Sequence, residues 1–307
     1  MIPLLLGAAF LAVQVTHSLR PVQVTDSLRQ QLDARISRVP GAEVGLAYID
    51  LHTGDTLFIN ADSSFHAAST MKVPVMMEVF RSARGGRLSL GQGILLVNQF
   101  SSIADGSRYS LDPAADGDTT LYRRIGQRVT VDTLLRLMIT RSSNLATNTL
   151  IALVGADEVT RVMRGLGADR IQVRRGVEDG KAYDRGLNNT TTARDLAIIM
   201  RAIEDGRGLA PDDRRQMLDI LLAQEFNDKI PAGVPGGVRV AHKTGEITEH
   251  SHDAAVVYPP GVRPYVLVVL TRGIRDARAA DKLVADISAI VYAHGPHRPR
   301  SQRLPGD

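Results

Sequence analysis

The sequence predicts an α/β protein of the α+β type: one antiparallel sheet built from both termini and flanked by helices, plus an inserted all-helical domain. Three observations lead there. Runs with strand-like composition lie near the start of the chain and again near its end. The long stretch between them spaces its apolar residues as helices do, with polar loops intervening. The last three β-rich runs follow one another separated by turns, as in a meander, which favours antiparallel pairing.

The elements follow in order. Asp26 is positioned to cap a helix whose apolar stripe is Leu28, Leu32 and Ile36. Residues 44–50 and 56–60 read as strands, and His52-Thr-Gly-Asp55 supplies the turn of a hairpin. From Ser69 the pattern is helical: 72–80, then 130–139, then 144–154, with another helix starting after Thr190-Thr-Thr192. The Gly- and Asp-rich stretch 101–118 is too long for a simple connection, so it is a functional loop or an insertion. Strands return at 238–241, 253–258 and 265–270, the last two separated by the turn Pro259-Pro-Gly261. A helix with Ala279, Leu283, Ile287 and Ile290 on one face closes the fold. The expected division is residues 23–66 and 207–293 for the sheet domain, 67–206 for the helical domain, and a flexible Pro- and Arg-rich tail over 294–307.

Residues 3–15 are apolar but shorter than the roughly 20 residues that span a bilayer. They suit the core of a signal peptide over residues 1–22, so the chain is expected to be secreted or periplasmic, with no stable membrane span after processing. Against this, no Lys or Arg precedes the stretch, and the alternative is a buried N-terminal helix.

Composition is ordinary for a globular protein, with 44% hydrophobic and 23% charged residues in 307. The net charge of +4 raises nucleic-acid binding as a question. Basic residues are interspersed with acids, as in Asp212-Asp213-Arg214-Arg215, and Trp is absent, so a solvated surface and no nucleic-acid partner is the reading. The absence of Cys excludes disulfides, thiol catalysis and thiolate metal sites.

Three short motifs carry chemistry. Ser69-Thr-Met-Lys72 opens the helical region. A serine at a helix N-terminus sits among free backbone N–H groups, and Lys72 lies one turn away on the same face. Burial lowers a lysine's basicity and lets it accept the serine proton. With 17 Ser and 5 Lys in the chain, chance supplies roughly 0.3 such motifs, so this one alone is weak.

Ser142-Ser-Asn144 follows an apolar helix. On a tight turn both polar side chains can face a cleft, Ser142 to pass a proton to a leaving nitrogen and Asn144 to bond Lys72 and a substrate amide. Taken alone it also reads as a helix cap. Lys243-Thr-Gly245 ends the first returning strand, where Lys and Thr suit a substrate carboxylate and Gly lets a ligand lie along the strand. Chance expectation for this third motif is about 0.05 copies, and for all three together of the order of one in a thousand.

With these three in this order, the chain resembles the penicillin-recognising serine enzymes, the class A β-lactamases and penicillin-binding proteins. The segment Met138-Ile-Thr-Arg-Ser-Ser-Asn-Leu-Ala-Thr-Asn-Thr-Leu-Ile151 is similar to the class A surroundings of the second motif, and Thr190-Thr-Thr-Ala193 to the helix start after the omega loop. The likeness covers residues 26–292. It implies a β-lactamase/transpeptidase-like fold and a monomeric serine hydrolase without cofactor or metal. Its substrate would be a β-lactam or a peptidoglycan-peptide-like small molecule. Ser69 would be acylated, with Lys72, or Glu178 through a water, as base. Ser142 would relay a proton, and the N–H groups of Ser69 and Glu246 would form the oxyanion hole.

The chain departs from class A twice. Ser143 stands where the commoner residue is Asp, which implies an altered hydrogen-bond network. The omega loop lacks the Arg-x-Glu-Pro pattern whose Glu positions the hydrolytic water. In Arg174-Arg-Gly-Val-Glu-Asp-Gly-Lys-Ala-Tyr-Asp-Arg-Gly-Leu-Asn-Asn189 the best match is Glu178, with Asp179 and Asp184 as rivals, or Glu178 is a structural partner of Arg174 or Arg175. His242, His250 and His252 flank the third motif, but no third clustered ligand is evident beside the His-x-His pair, and the site is read without metal. A β-lactamase, a D-alanyl-D-alanine peptidase or esterase that deacylates slowly, and a non-catalytic wall-binding module share this scaffold. The last would be expected to have lost Ser69 or Lys72.

Overall fold

The computed structural model describes residues 22–295. The expected leader lies outside them except for Val22, and the expected tail lies outside them beyond Gly295. Helix α1 (Val22–Ile36) begins a turn before Asp26, so Asp26 lies within the helix and does not cap it. Its stripe is as expected, with Leu28 and Leu32 buried and Ile36 packed beside them.

Strands β1 (Glu43–Asp50), β2 (Thr56–Ile59), β3 (Arg239–Ile247), β4 (His250–Tyr258) and β5 (Tyr265–Arg272) form one sheet in the order β2-β1-β5-β4-β3. Every neighbouring pair is antiparallel, and the register Glu43↔Arg272 to Asp50↔Tyr265 joins the first strand to the last. The third motif lies inside β3, which runs on to Ile247 before turning at Thr248 and Glu249.

Helices cover both faces of the sheet, so β1 and β5 are buried along nearly their whole length instead of alternating between buried and exposed residues. Alternate side chains serve two cores. Leu46, Tyr48, Leu267 and Val269 pack with α1 and the closing helix α9 (Ala277–His294). Ala47, Ile49, Val268 and Leu270 pack under the helical unit. Helix α9 reaches His294, which the sequence assigned to the tail.

The helical unit contains α2 (Lys72–Arg84), α3 (Val131–Thr140), α4 (Asn144–Val154), α5 (Ala156–Gly165), the single turn α6 (Gly180–Asp184), α7 (Ala193–Asp205) and α8 (Pro211–Leu222). Side-chain caps fix several starts: Thr130 accepts from Thr133 N, Ser143 from Ala146 N and Thr192 from Asp195 N. Two short ribbons also sit in this region, Gly93–Leu95 with Arg128–Thr130 and Phe100–Ser101 with Arg108–Tyr109. The second ribbon lies at the head of the long 101–118 stretch.

Candidate active site

Ser69 lies on a 3-10 turn, Ala68–Met71, that runs directly into α2. Ala68 has φ +46°, a strained value for a residue with a Cβ, and its N–H donates to Nδ1 of His66 at 3.0 Å. The turn is pressed against β3. A Cβ on Gly245 would stand 3.0 Å from the backbone nitrogens of both Ser69 and Thr70. Gly245 is therefore needed for the approach of the serine's own backbone, not only for a ligand.

Lys72 is fully buried, and its Nζ meets three acceptors of the second motif: Ser142 O at 2.6 Å, Ser142 Oγ at 3.1 Å and Asn144 Oδ1 at 2.9 Å. Burial pulls its pKa down to about 7, against the opposing charges of Asp116 and Glu178. Ser142 holds a left-handed backbone, φ +57°, which turns both its carbonyl and hydroxyl toward the lysine.

Lys243 is also buried and donates to the same Ser142 Oγ at 3.1 Å and to Thr244 O at 2.8 Å. Burial first, and then the charge of Lys72, lowers its pKa well below the ordinary lysine value. Its ammonium group is sealed behind Ser142 and Thr244, and it does not line either cavity at Ser69.

Glu178 reaches the site from the omega loop. Its Oε1 accepts from Asn144 Nδ2 at 2.7 Å and its Oε2 from Asp112 N at 3.1 Å. Asn144 thus stands between Lys72 and Glu178. Asn148 grips the loop just before, receiving Val177 N at 2.7 Å and donating to Val177 O at 3.1 Å. Arg175 bonds Leu187 O, Gly176 O and Asn188 Oδ1, and Arg174 bonds Gln172, so neither pairs with Glu178. Asp179 is occupied structurally, accepting from Ser102 Oγ, Ile103 N and Ala182 N. Asp184 is exposed at the end of α6.

Two cavities meet at Ser69. One of about 410 Å³ runs past Asn144, Glu178, Arg175, Tyr183 and His66 toward Ile247. The other, about 220 Å³, is walled by Ser142, Thr244, Gly245, Glu246 and Phe226. Ser69, Asn144 and Glu246 border both. Glu246 is held from below by an ion pair with the buried Lys229.

The histidines divide. His242 pairs with Asp253 at 3.0 Å behind β3. His252 donates from Nε2 to His66 O and accepts from Thr271 N at Nδ1, with burial pulling its pKa to about 4. The ring of His66 does stand near that of His250, with centroids 6.3 Å apart, a neighbour that spacing along the chain did not show. Among the described residues no group of three or more His, Cys, Asp or Glu is arranged to hold a metal.

Sequence reasoning missed Asp116, Asn148 and Lys229. Asp116 lay within a stretch already marked as a functional loop or an insertion and Asn148 within the segment similar to class A, but neither had been given a role, and Lys229 carried no motif signal.

The antiparallel sheet with a helical unit folded over its edge strand, and Ser69, Lys72, Ser142 and Lys243 gathered at that junction, define a penicillin-recognising type of serine hydrolase. Residues 27–295 match the Beta-lactamase enzyme family, and the chain belongs to that family. A β-lactamase of Streptomyces albus G is 30% identical over 263 residues, 84% of this chain and 82% of its own. Among solved structures, PBP-A matches with a TM-score of 0.76 at 29% identity, covering 87% of this chain and 95% of its own. A β-lactamase from Sphaerobacter thermophilus DSM 20745 matches with 0.76 at 28%, covering 89% and 99%. The L158E mutant of PBP-A, an acyl-enzyme complex with penicillin G, matches with 0.75 at 31%, covering 87% and 96%.

Proposed function

We propose that this protein hydrolyses β-lactam amides through an acyl-enzyme on Ser69. The observation that carries the reading is the line Lys72–Asn144–Glu178 beside Ser69, which supplies two separate proton acceptors for two half-reactions. In the first, neutral Lys72 takes the Ser69 proton, Oγ bonds the carbonyl carbon, and the ring C–N bond breaks. The developing oxyanion is met by the N–H groups of Ser69 and Glu246, the latter on the edge strand of the sheet. Ser142 can accept from both lysines at once, which leaves its own O–H to protonate the departing nitrogen. The proton that Lys72 took from Ser69 then passes to Ser142 Oγ, so that both groups regain their starting forms. In the second, Glu178 takes a proton from water as the water oxygen bonds the acyl carbon. The ester C–Oγ bond then breaks as Glu178 passes that proton on to Ser69 Oγ, which restores both groups. The substrate carboxylate is held by the hydroxyl of Thr244 on the cavity wall, with Lys243 behind it.

The similarity to PBP-A supports a second reading, a peptidase-type penicillin-binding enzyme that acylates but releases product slowly. One experiment separates them. Wild type incubated with penicillin G should gain the full mass of the drug and then lose it over repeated turnovers. Ser69→Ala should fold and gain nothing. An equal adduct on the alanine variant removes Ser69 from the mechanism, and a wild type that stops after one equivalent favours the second reading.

A further inference from the structure

The geometry points to Asp116 as the positioning residue of the second motif: its carboxylate, delivered by the loop 101–118, fixes Ser142 and Asn144 against Lys72. The catalytic consequence rests on the function proposed above; the placement does not. Asp116 is buried, and five donors converge on it. Oδ1 accepts from Asn144 N at 2.9 Å and Asp118 N at 3.0 Å. Oδ2 accepts from Leu145 N at 2.9 Å, from the Tyr122 hydroxyl at 2.8 Å and, more distantly, from Ser143 Oγ at 3.5 Å.

Two of these donors are the first backbone N–H groups of α4, and Ser143 itself satisfies only the next, Ala146 N at 3.3 Å. A hydroxyl inside the motif thus caps one group, and a full negative charge from a different segment takes the other two, where the helix dipole favours it. This is how the turn holds together with Ser143 at its centre.

The loop is shaped for this contact. A Cβ on Gly117 would stand 2.1 Å from Arg141 O, so only glycine lets the chain pass this close to the residue before Ser142. Asp118 continues the grip with an ion pair to Arg141 at 3.5 Å. Ser142 sits between these holds in a left-handed conformation that a non-glycine residue keeps only under constraint. All three acceptors on Lys72 belong to Ser142 and Asn144, so a slack turn is a misplaced base. Placement errors of about an ångström cost on the order of 100-fold in rate.

The charges facing Lys72 are Asp116 and Glu178, which favour its protonated form, and the neighbouring cation is Lys243, which shares Ser142 Oγ with it. Neutralising Asp116 therefore lowers the pH at which Lys72 loses its proton. A base that must be neutral then works further into acid, so the acid limb of acylation moves to lower pH.

The test uses the whole protein as wild type, Asp116→Asn, Asp116→Glu and Asp276→Ala. The last removes a distant cap at the start of α9. Three quantities are read: penicillin G acylation against pH, the titration midpoint of Lys72 by NMR of lysine labelled at Cε, and the melting temperature. Asp116→Asn should lower the Lys72 midpoint, shift the acid limb with it and cut plateau acylation by about tenfold or more. Asp116→Glu keeps the charge on a longer arm, so the midpoint should hold while the plateau falls. Asp276→Ala should lower only the melting temperature. If both Asp116 variants melt lower yet keep the wild-type acylation profile and Lys72 midpoint, Asp116 is a cap and nothing more. Wild type that takes up no penicillin would sink the proposed function, and the Lys72 midpoint would still decide the role of Asp116.

Discussion

At the scale of single residues, the site separates two proton acceptors by environment. Lys72 is fully buried and titrates near 7, while Glu178 sits exposed on a loop with one oxygen on Asn144 and the other on a backbone N–H. The pair is suited to successive steps, because a lysine poised near neutrality takes the serine proton and a carboxylate facing solvent takes one from water. Glu178→Gln keeps size and hydrogen-bonding capacity but accepts no proton. It should therefore acylate at close to the wild-type rate and accumulate as a stable adduct, with a burst equal to the enzyme present. Asp179→Asn should instead lose stability, since that carboxylate joins Ser102, Ile103 and Ala182. Turnover by Glu178→Gln at the wild-type rate would move the deacylation base elsewhere in the loop.

At the scale of elements, the omega loop is pinned to α4 through Asn148 as well as braced by its own Arg175 and Asn189. Gly176 is the tightest point: a Cβ there would lie 2.5 Å from Oδ1 of Asn148, the atom that also receives Val177 N. Gly176→Ala should displace Val177 and with it Glu178, slowing deacylation by about tenfold or more while leaving acylation nearly intact. Equal losses in both steps, measured by pre-steady-state mass spectrometry, would show that the loop supports Ser69 as well. These dependences mark what the sequence could and could not disclose. Helices α3, α4 and α7 were legible because Thr130, Ser143 and Thr192 cap them locally. Helix α8 went unnoticed although Pro211 at its first position and Asp212 and Asp213 in its first turn signal it. The Ser-x-x-Lys, Ser-x-Asn and Lys-Thr-Gly residues were found because each is a short contiguous motif. Asp116, Asn148 and Lys229 were not, since each acts on a partner 17 or more residues away through pairing that only the folded chain creates.

At the scale of the whole molecule, the sheet is the shared wall of two cores, and β5 at its centre contributes to both. Leu267 is fully buried toward α1 and α9, and Leu270, three residues on, is fully buried under the helical unit. An inserted helical unit with a floor of its own would melt separately, but here the floor is this same sheet, and the site depends on the seam. Strand β3 carries Lys243 and presses Gly245 against Ser69. Losing either core therefore removes the surface on which the other is packed, and the molecule should unfold as one unit. Leu267→Ala and Leu270→Ala each empty a buried site and should cost about 2–5 kcal/mol. Followed in urea by hydrogen exchange and mass spectrometry, peptides from α4 and from α9 should lose protection at one shared midpoint in each variant. That midpoint should fall in both variants, with the urea dependence unchanged. Were Leu267→Ala to release α9 while α4 stayed protected, the two cores would be separable, and the seam at Ser69 would be held by the helical unit and β3 alone.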